Sequence, residues 1–174
     1  MRYLLIVFAL LLTGCAASVQ RHGAVEERLM LSPAATKRVV LEVQDNAKMA
    51  TSSDWEQFRN EWRAGMNEAT KAAGMALAPQ GATRAQNSEP ATLVTIKIND
   101  YRYITRGARV AAGMMTGNAY VDADVMFAEL PGAKPAGVRK FSTTSSAMQG
   151  VFSAMTETQI RGICDEIVKD IAQR

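Results

Sequence analysis

The sequence predicts an α+β two-layer sandwich: a mixed, mostly antiparallel sheet in the order β-α-β-β-β-β-α, with two helices on one face. Three observations carry that expectation. Residues 53–73 and 156–172 repeat apolar side chains at three- and four-residue steps, the period of an amphipathic helix. Residues 37–43, 92–103, 118–130 and 138–144 alternate apolar with polar side chains, the period of a half-buried strand. Glycine, proline and asparagine gather between these stretches, where turns need them.

The chain begins with Met1-Arg2, a minimal positive start, and an uninterrupted apolar run over residues 3–12. A helix of that length cannot cross a ~30 Å hydrocarbon core, which takes about twenty residues, so the run reads as a removable secretory signal. It ends in Leu12-Thr13-Gly14-Cys15, which resembles the lipobox of bacterial lipoproteins. The resemblance implies cleavage between Gly14 and Cys15, and diacylglyceryl and palmitate-class acyl groups on Cys15. Thr13 and Gly14 are small enough to admit the peptidase, and the nucleophilic group is the Cys15 thiolate. Ala16 stands where inner-membrane lipoproteins carry aspartate, which implies an outer-membrane location facing the periplasm; the inner membrane and the cell surface stay open. Residues 1–14 are then a signal peptide, 15–36 a lipidated tether and 37–174 a single periplasmic domain.

Composition narrows the function classes. The net charge is +3 with no basic block, which gives no reason to expect nucleic acid as a partner. The one histidine, His22, falls in the expected tether, and Cys164 is the only cysteine besides Cys15, so no internal disulfide is expected.

After the tether, Val39, Leu41 and Val43 share one face of the first strand. Ser53 and Glu56 have capping-box spacing at the start of the first helix, whose stripe runs Trp55, Phe58, Trp62, Met66, Ala69, Ala73. Gly74 sits where a C′ glycine ends a helix. Residues 75–78 form a short strand that completes a βαβ-like unit, and 79–90 a polar loop. In the strand over 92–103, Val94, Ile96 and Ile98 point one way, and Thr95, Lys97, Asn99, Tyr101 and Tyr103 the other. In the next strand Ala119, Val121, Ala123, Val125 and Phe127 oppose Tyr120, Asp122 and Asp124. Residues 131–137 turn the chain into a hairpin with 138–144. Thr156 and Gln159 offer a second capping box for the closing helix, whose apolar face holds Ile160, Ile163, Cys164, Ile167 and Ile171. On that face Cys164 reads as an inert core thiol.

Residues 104–117 join two strands with far more chain than a hairpin needs. Arg106 and Arg109 flank an apolar centre, Val110 to Met115, punctuated by Gly107, Gly113 and Gly117. Arg106, Gly107, Arg109, Val110, Gly113, Met114, Met115 and Gly117 are the candidate interaction loop, for a protein partner, a lipid surface or a second copy. The alternative is a pair of strands that run on through a glycine bend. Asp100, Asp122 and Asp124 are weak candidates for holding a hard cation, with a solvated face paired to Lys97 as the plainer reading. Ser142 with Lys140 offers a serine–lysine pair without a supporting motif, and no catalytic set is assigned.

The strand ending in Asp100-Tyr101, then Arg106, a Gly/Ala-rich stretch, the alternating strand from Tyr120 to Phe127 and an Ile-rich final helix resemble the DUF4410-type bacterial lipoproteins. This chain has Glu129-Leu130-Pro131-Gly132 where that group has an Asp-x-x-Thr-Gly turn. The element order is also similar to small periplasmic domains of envelope-assembly proteins such as the curli secretion lipoprotein. These resemblances imply an accessory or scaffold role. The expectation is a non-enzymatic, membrane-anchored lipoprotein without cofactor, bound to the membrane through Cys15 and to a protein partner or itself. A periplasmic hydrolase or metal-dependent enzyme, and an oligomeric secretion or channel subunit, are the alternatives.

Overall fold

Branched and aromatic side chains at every second position, with polar neighbours between them, build a six-stranded sheet whose two faces differ in chemistry. A computed structural model describes residues 18–22, 28–44, 51–82, 88–104, 118–144 and 156–172. The strands are β1 (Ser18–His22), β2 (Arg38–Gln44), β3 (Ala76–Leu77), β4 (Ala91–Arg102), β5 (Tyr120–Leu130) and β6 (Lys134–Thr144). Their order across the sheet is β1-β6-β5-β4-β2-β3. β2 runs parallel to β3 and β4; the other pairs are antiparallel. Helices α1 (Trp55–Ala72) and α2 (Thr156–Ala172) pack side by side on one face, giving the expected α+β sandwich. Among the described residues no helix is long and apolar enough to cross a membrane.

The core lies between that face and the helices. Phe58, Trp62 and Met66 from α1 and Ile160, Ile163 and Ile167 from α2 meet Val94, Ile96, Val125, Phe127 and Phe141 of the sheet, all buried. A smaller cluster on the opposite face joins Val40, Leu93, Leu130 and Ala78.

Four local expectations change. Residues 15–36 are more than a tether: from Ser18 onward β1 pairs with β6, in register Ser18↔Thr144 to His22↔Lys140. Arg21 reaches Glu166 at 2.6 Å and Asp170 at 3.2 Å on α2, Leu29 is buried, and Thr92 Oγ1 donates to the Ala35 carbonyl at 2.9 Å. An edge strand recruits the open backbone groups of its neighbour and needs no apolar alternation of its own, so β1 is silent in the pattern.

Neither capping box forms. α1 starts at Trp55 with Asp54 as its cap and no side-chain cap bond. The Asp54 carboxylate accepts instead from Ser52 Oγ and, at 2.7 Å, from the Tyr101 hydroxyl. At α2, Thr156 Oγ1 accepts from the Ile104 amide at 2.8 Å, while buried Gln159 donates to the Ala119 carbonyl at 2.8 Å and accepts from Thr143 at 2.9 Å. Tertiary partners that are themselves buried need these groups more than the helix ends do.

The third change is a bulge between Ile98 and Asp100 of β4, where Asn99 has no opposite number on β5. It reverses the side-chain direction, so Tyr101 and Tyr103 turn to the helix face. Lastly, β6 begins at Lys134, with the turn reduced to residues 131–133 and a register shift at Phe127/Ala128. The Gly74 stop is realised: at φ +71°, its amide bonds the Lys71 carbonyl and that of Met75 the Thr70 carbonyl, a Schellman ending.

Candidate functional site

The face of the sheet turned away from the helices carries a groove. Register places Glu42, Thr95, Met126 and Val138 in one row across β2, β4, β5 and β6, with Val40, Leu93, Ala128 and Pro135 in the next. The chain at 28–31 runs beside the start of β6, where the Met30 amide donates to the Ala136 carbonyl at 3.0 Å. Leu29 tucks beneath: a Cβ on Gly137 would stand 2.7 Å from Leu29 Cδ2, so glycine there lets the segment close on the strand. Between segment and sheet lies a groove of about 670 Å³.

Its lining is mainly apolar, with Arg28 and Glu42 among the polar residues that line it. Met30 is 69% exposed, Val138 56% and Met126 38%; they are three of the four large apolar side chains exposed among the described residues. A contiguous exposed apolar patch on an otherwise polar face marks a contact surface. What the groove can do is take up apolar groups; its described lining shows no paired acid and base and no nucleophile beside a base.

The residues singled out from the sequence lie elsewhere. Gly14 and Cys15 fall outside the described residues, and so do Arg106, Gly107, Arg109, Val110, Gly113, Met114, Met115 and Gly117. Asp100, Asp122 and Asp124 share the open face, and the bulge sets Asp100 opposite Asp122. Each of the three faces a neighbouring polar side chain on that face. Asp100 accepts from the Tyr101 amide and from the Tyr120 hydroxyl, each at 2.9 Å. Asn99 Nδ2 donates to Asp122 at 3.3 Å, and Asp124 lies between Lys97 and Lys140, 3.9 Å from the latter. Among the described residues no three His, Cys, Asp or Glu side chains come together as metal ligands would. The hydrogen bond to Asp100 raises the Tyr120 hydroxyl pKa above its ordinary value, which is no property of a catalytic base. Lys140, half of the serine–lysine candidate, is exposed, with Asp124 as its nearest charged neighbour. Cys164 is buried with its Sγ 3.9 Å from the Trp62 carbonyl, and burial pushes its thiol pKa well up, so the thiolate is suppressed.

The groove did leave a trace in the sequence. Met126 follows Tyr120, Asp122 and Asp124 at the same parity, and Val138 precedes Lys140 and Ser142, so each puts an apolar side chain on a polar row. Met30 had no such signal, because only the fold brings residues 28–31 against β6.

No family model and no curated protein matches the chain, so the DUF4410-type resemblance rests on its motifs alone. Among solved structures, a PelC dodecamer from Paraburkholderia phytofirmans is 14% identical at TM-score 0.49, covering 86% of this chain and 95% of that one. A Xanthomonas campestris protein described as DUF330 is 10% identical at TM-score 0.46, covering 81% and 88%. A putative neuraminyllactose-binding hemagglutinin homolog from Helicobacter pylori is 9% identical at TM-score 0.35, covering 85% and 91%.

Proposed function

We propose that this chain is a membrane-anchored periplasmic lipoprotein with a non-enzymatic binding or accessory role in the cell envelope, sorted to the outer membrane. The observation that carries the reading is Leu12-Thr13-Gly14-Cys15 set directly behind a short apolar run. Two or three acyl chains on Cys15 hold a protein to a bilayer far better than one, at about 0.8 kcal/mol per buried CH₂. Binding is favoured over catalysis because Asp100, Thr143 and Asp54 are engaged in structural hydrogen bonds and the groove on the open face is mainly apolar.

Expression of Cys15→Ser tests the anchor. The variant is expected to lose acylation and either stay unprocessed or reach the periplasm in soluble form. Recovery of a mature, membrane-bound lipoprotein despite the substitution would sink the reading.

Self-association is a second reading, supported by the position of β1. It ends the sheet, and among the described residues its outer edge pairs with no strand, which leaves backbone donors and acceptors for another chain. Native mass spectrometry of the acylated protein in detergent decides it: a strictly monomeric protein ends the idea.

A further inference from the structure

We propose that the open face of the sheet lies against the bilayer that holds the anchor, with Met30, Met126 and Val138 entering the boundary between headgroups and acyl chains. This rests on the acylation of Cys15. The first argument is reach. Three residue steps separate Cys15 from Ser18, and Ser18 is already paired with Thr144. Three steps of extended chain cover at most about 11 Å. The domain therefore sits on the membrane surface, and the question is which side it presents.

The helix side is out of reach. On that face α2 covers β1: a Cβ on Gly162 would stand 3.0 Å from Val19 Cγ2, and Arg21 binds Glu166 and Asp170 over the same strand. A helix with its side chains is about 10–12 Å thick. For α1 and α2 to rest on the bilayer, a lipid attached to Cys15 would have to pass that layer and the side chains that space it from β1, together more than the roughly 11 Å that three residue steps span.

Among the described residues no helix lies on the opposite face, and there the sheet carries its exposed apolar side chains Met126 and Val138. Val138 and Met126 are neighbours in register, and Met30 borders the same groove. Arg28, Lys97 and Lys140 surround the patch, with Glu42, Asp122 and Asp124 offsetting them. The face is close to neutral, so apolar insertion and not charge attraction carries the contact, and salt should change it little. A bilayer fits this surface because the anchor holds one within reach in every molecule; a protein partner has no such tie to it.

The test uses the full, acylated protein in vesicles of phosphatidylethanolamine and phosphatidylglycerol. Val138→Cys and Met30→Cys carry a spin label on the patch, and Asn67→Cys carries one on the exposed side of α1. Cys15 is blocked by its lipid and Cys164 is buried, so only the introduced thiol reacts. Both patch labels are expected to show a several-fold higher ratio of oxygen to nickel-chelate accessibility than the label at position 67, at low and high salt alike. Patch labels as open to the nickel chelate as the label at 67 would overturn the proposal, and the domain would then stand on the Ser18 end of its strands. Patch labels shielded from both agents would overturn it in favour of a protein surface seated in the groove. The mass of the N-terminal peptide separates the two layers of inference. An acylated protein with water-exposed labels loses the docking alone, and an unacylated one loses the anchor and the docking together.

Discussion

Tyr103, the residue after β4, stands on the helix side of the sheet because one residue, Asn99, is left over at the bulge. Up to Ile98 the alternation holds, and past it every side chain reverses. The reversal completes an aromatic cluster: Tyr101 stacks on Phe58 with ring centres 4.1 Å apart, and Tyr103 meets Phe58 edge-on at 6.2 Å. Each hydroxyl finds a carboxylate on or beside α1, Tyr101 at Asp54 and Tyr103 at Glu61, 2.9 Å away. Burial first, and then the bond to Glu61, hold the Tyr103 pKa far above the ordinary tyrosine value. The folded state thus keeps a proton that the unfolded chain gives up above about pH 10, and stability falls as pH rises through that range. Tyr103→Phe is expected to flatten this loss. Urea unfolding at about pH 9 and about pH 11 checks it, and an identical alkaline loss in both proteins would rule the assignment out.

Gly65 marks a point of close approach between the two helices. A Cβ on Gly65 of α1 would stand 3.2 Å from Cys164 Sγ and 3.6 Å from Ile160 Cγ2 of α2. Gly65→Leu should force the helices apart and cost about 1–3 kcal/mol, read as a lower urea midpoint. Gly65→Ala should cost far less, since the ~1 kcal/mol gained in helix propensity offsets a contact only a few tenths of an ångström too close. The apolar stripes of both helices were legible because each repeats over four turns or more. Their capping was not: Asp54, Thr156 and Gln159 bond to Tyr101, Ile104, Ala119 and Thr143, residues 16 to 52 positions away in sequence as the bonds are counted, and local spacing carries no record of such partners.

For the molecule as a whole, the N-terminal segment decides how the domain meets its surroundings. β1 and residues 28–37 are part of the folded body, through the β6 pairing, the Arg21 ion pairs and the bonds of Ser32 to Glu129 and of Thr92 to Ala35. A soluble chain beginning at Ala16 should therefore be more stable than one beginning at Gly23, by a few kcal/mol at about 1 per ladder bond. Equal denaturation midpoints would show that β1 contributes nothing. A cell that removes the signal at Cys15 would then deliver a domain attached to its lipid by three residue steps, close to the surface and restricted in the faces it can present.

The sequence by itself determined what depends on near neighbours: the two amphipathic helices, the long alternating strands, the glycine stop at position 74, the burial of Cys164 and the expectation of a lipid anchor at Cys15. The groove was half legible, since Met126 and Val138 break their polar rows, but nothing local joined them to Met30. The tertiary structure decided the rest. It moved the tyrosines across the sheet, made a strand of Ser18–His22 and laid residues 28–31 beside β6. The reason is physical: side-chain spacing sets direction only along one element, whereas bulges, edge pairing and buried hydrogen bonds are settled by what a distant partner leaves unsatisfied.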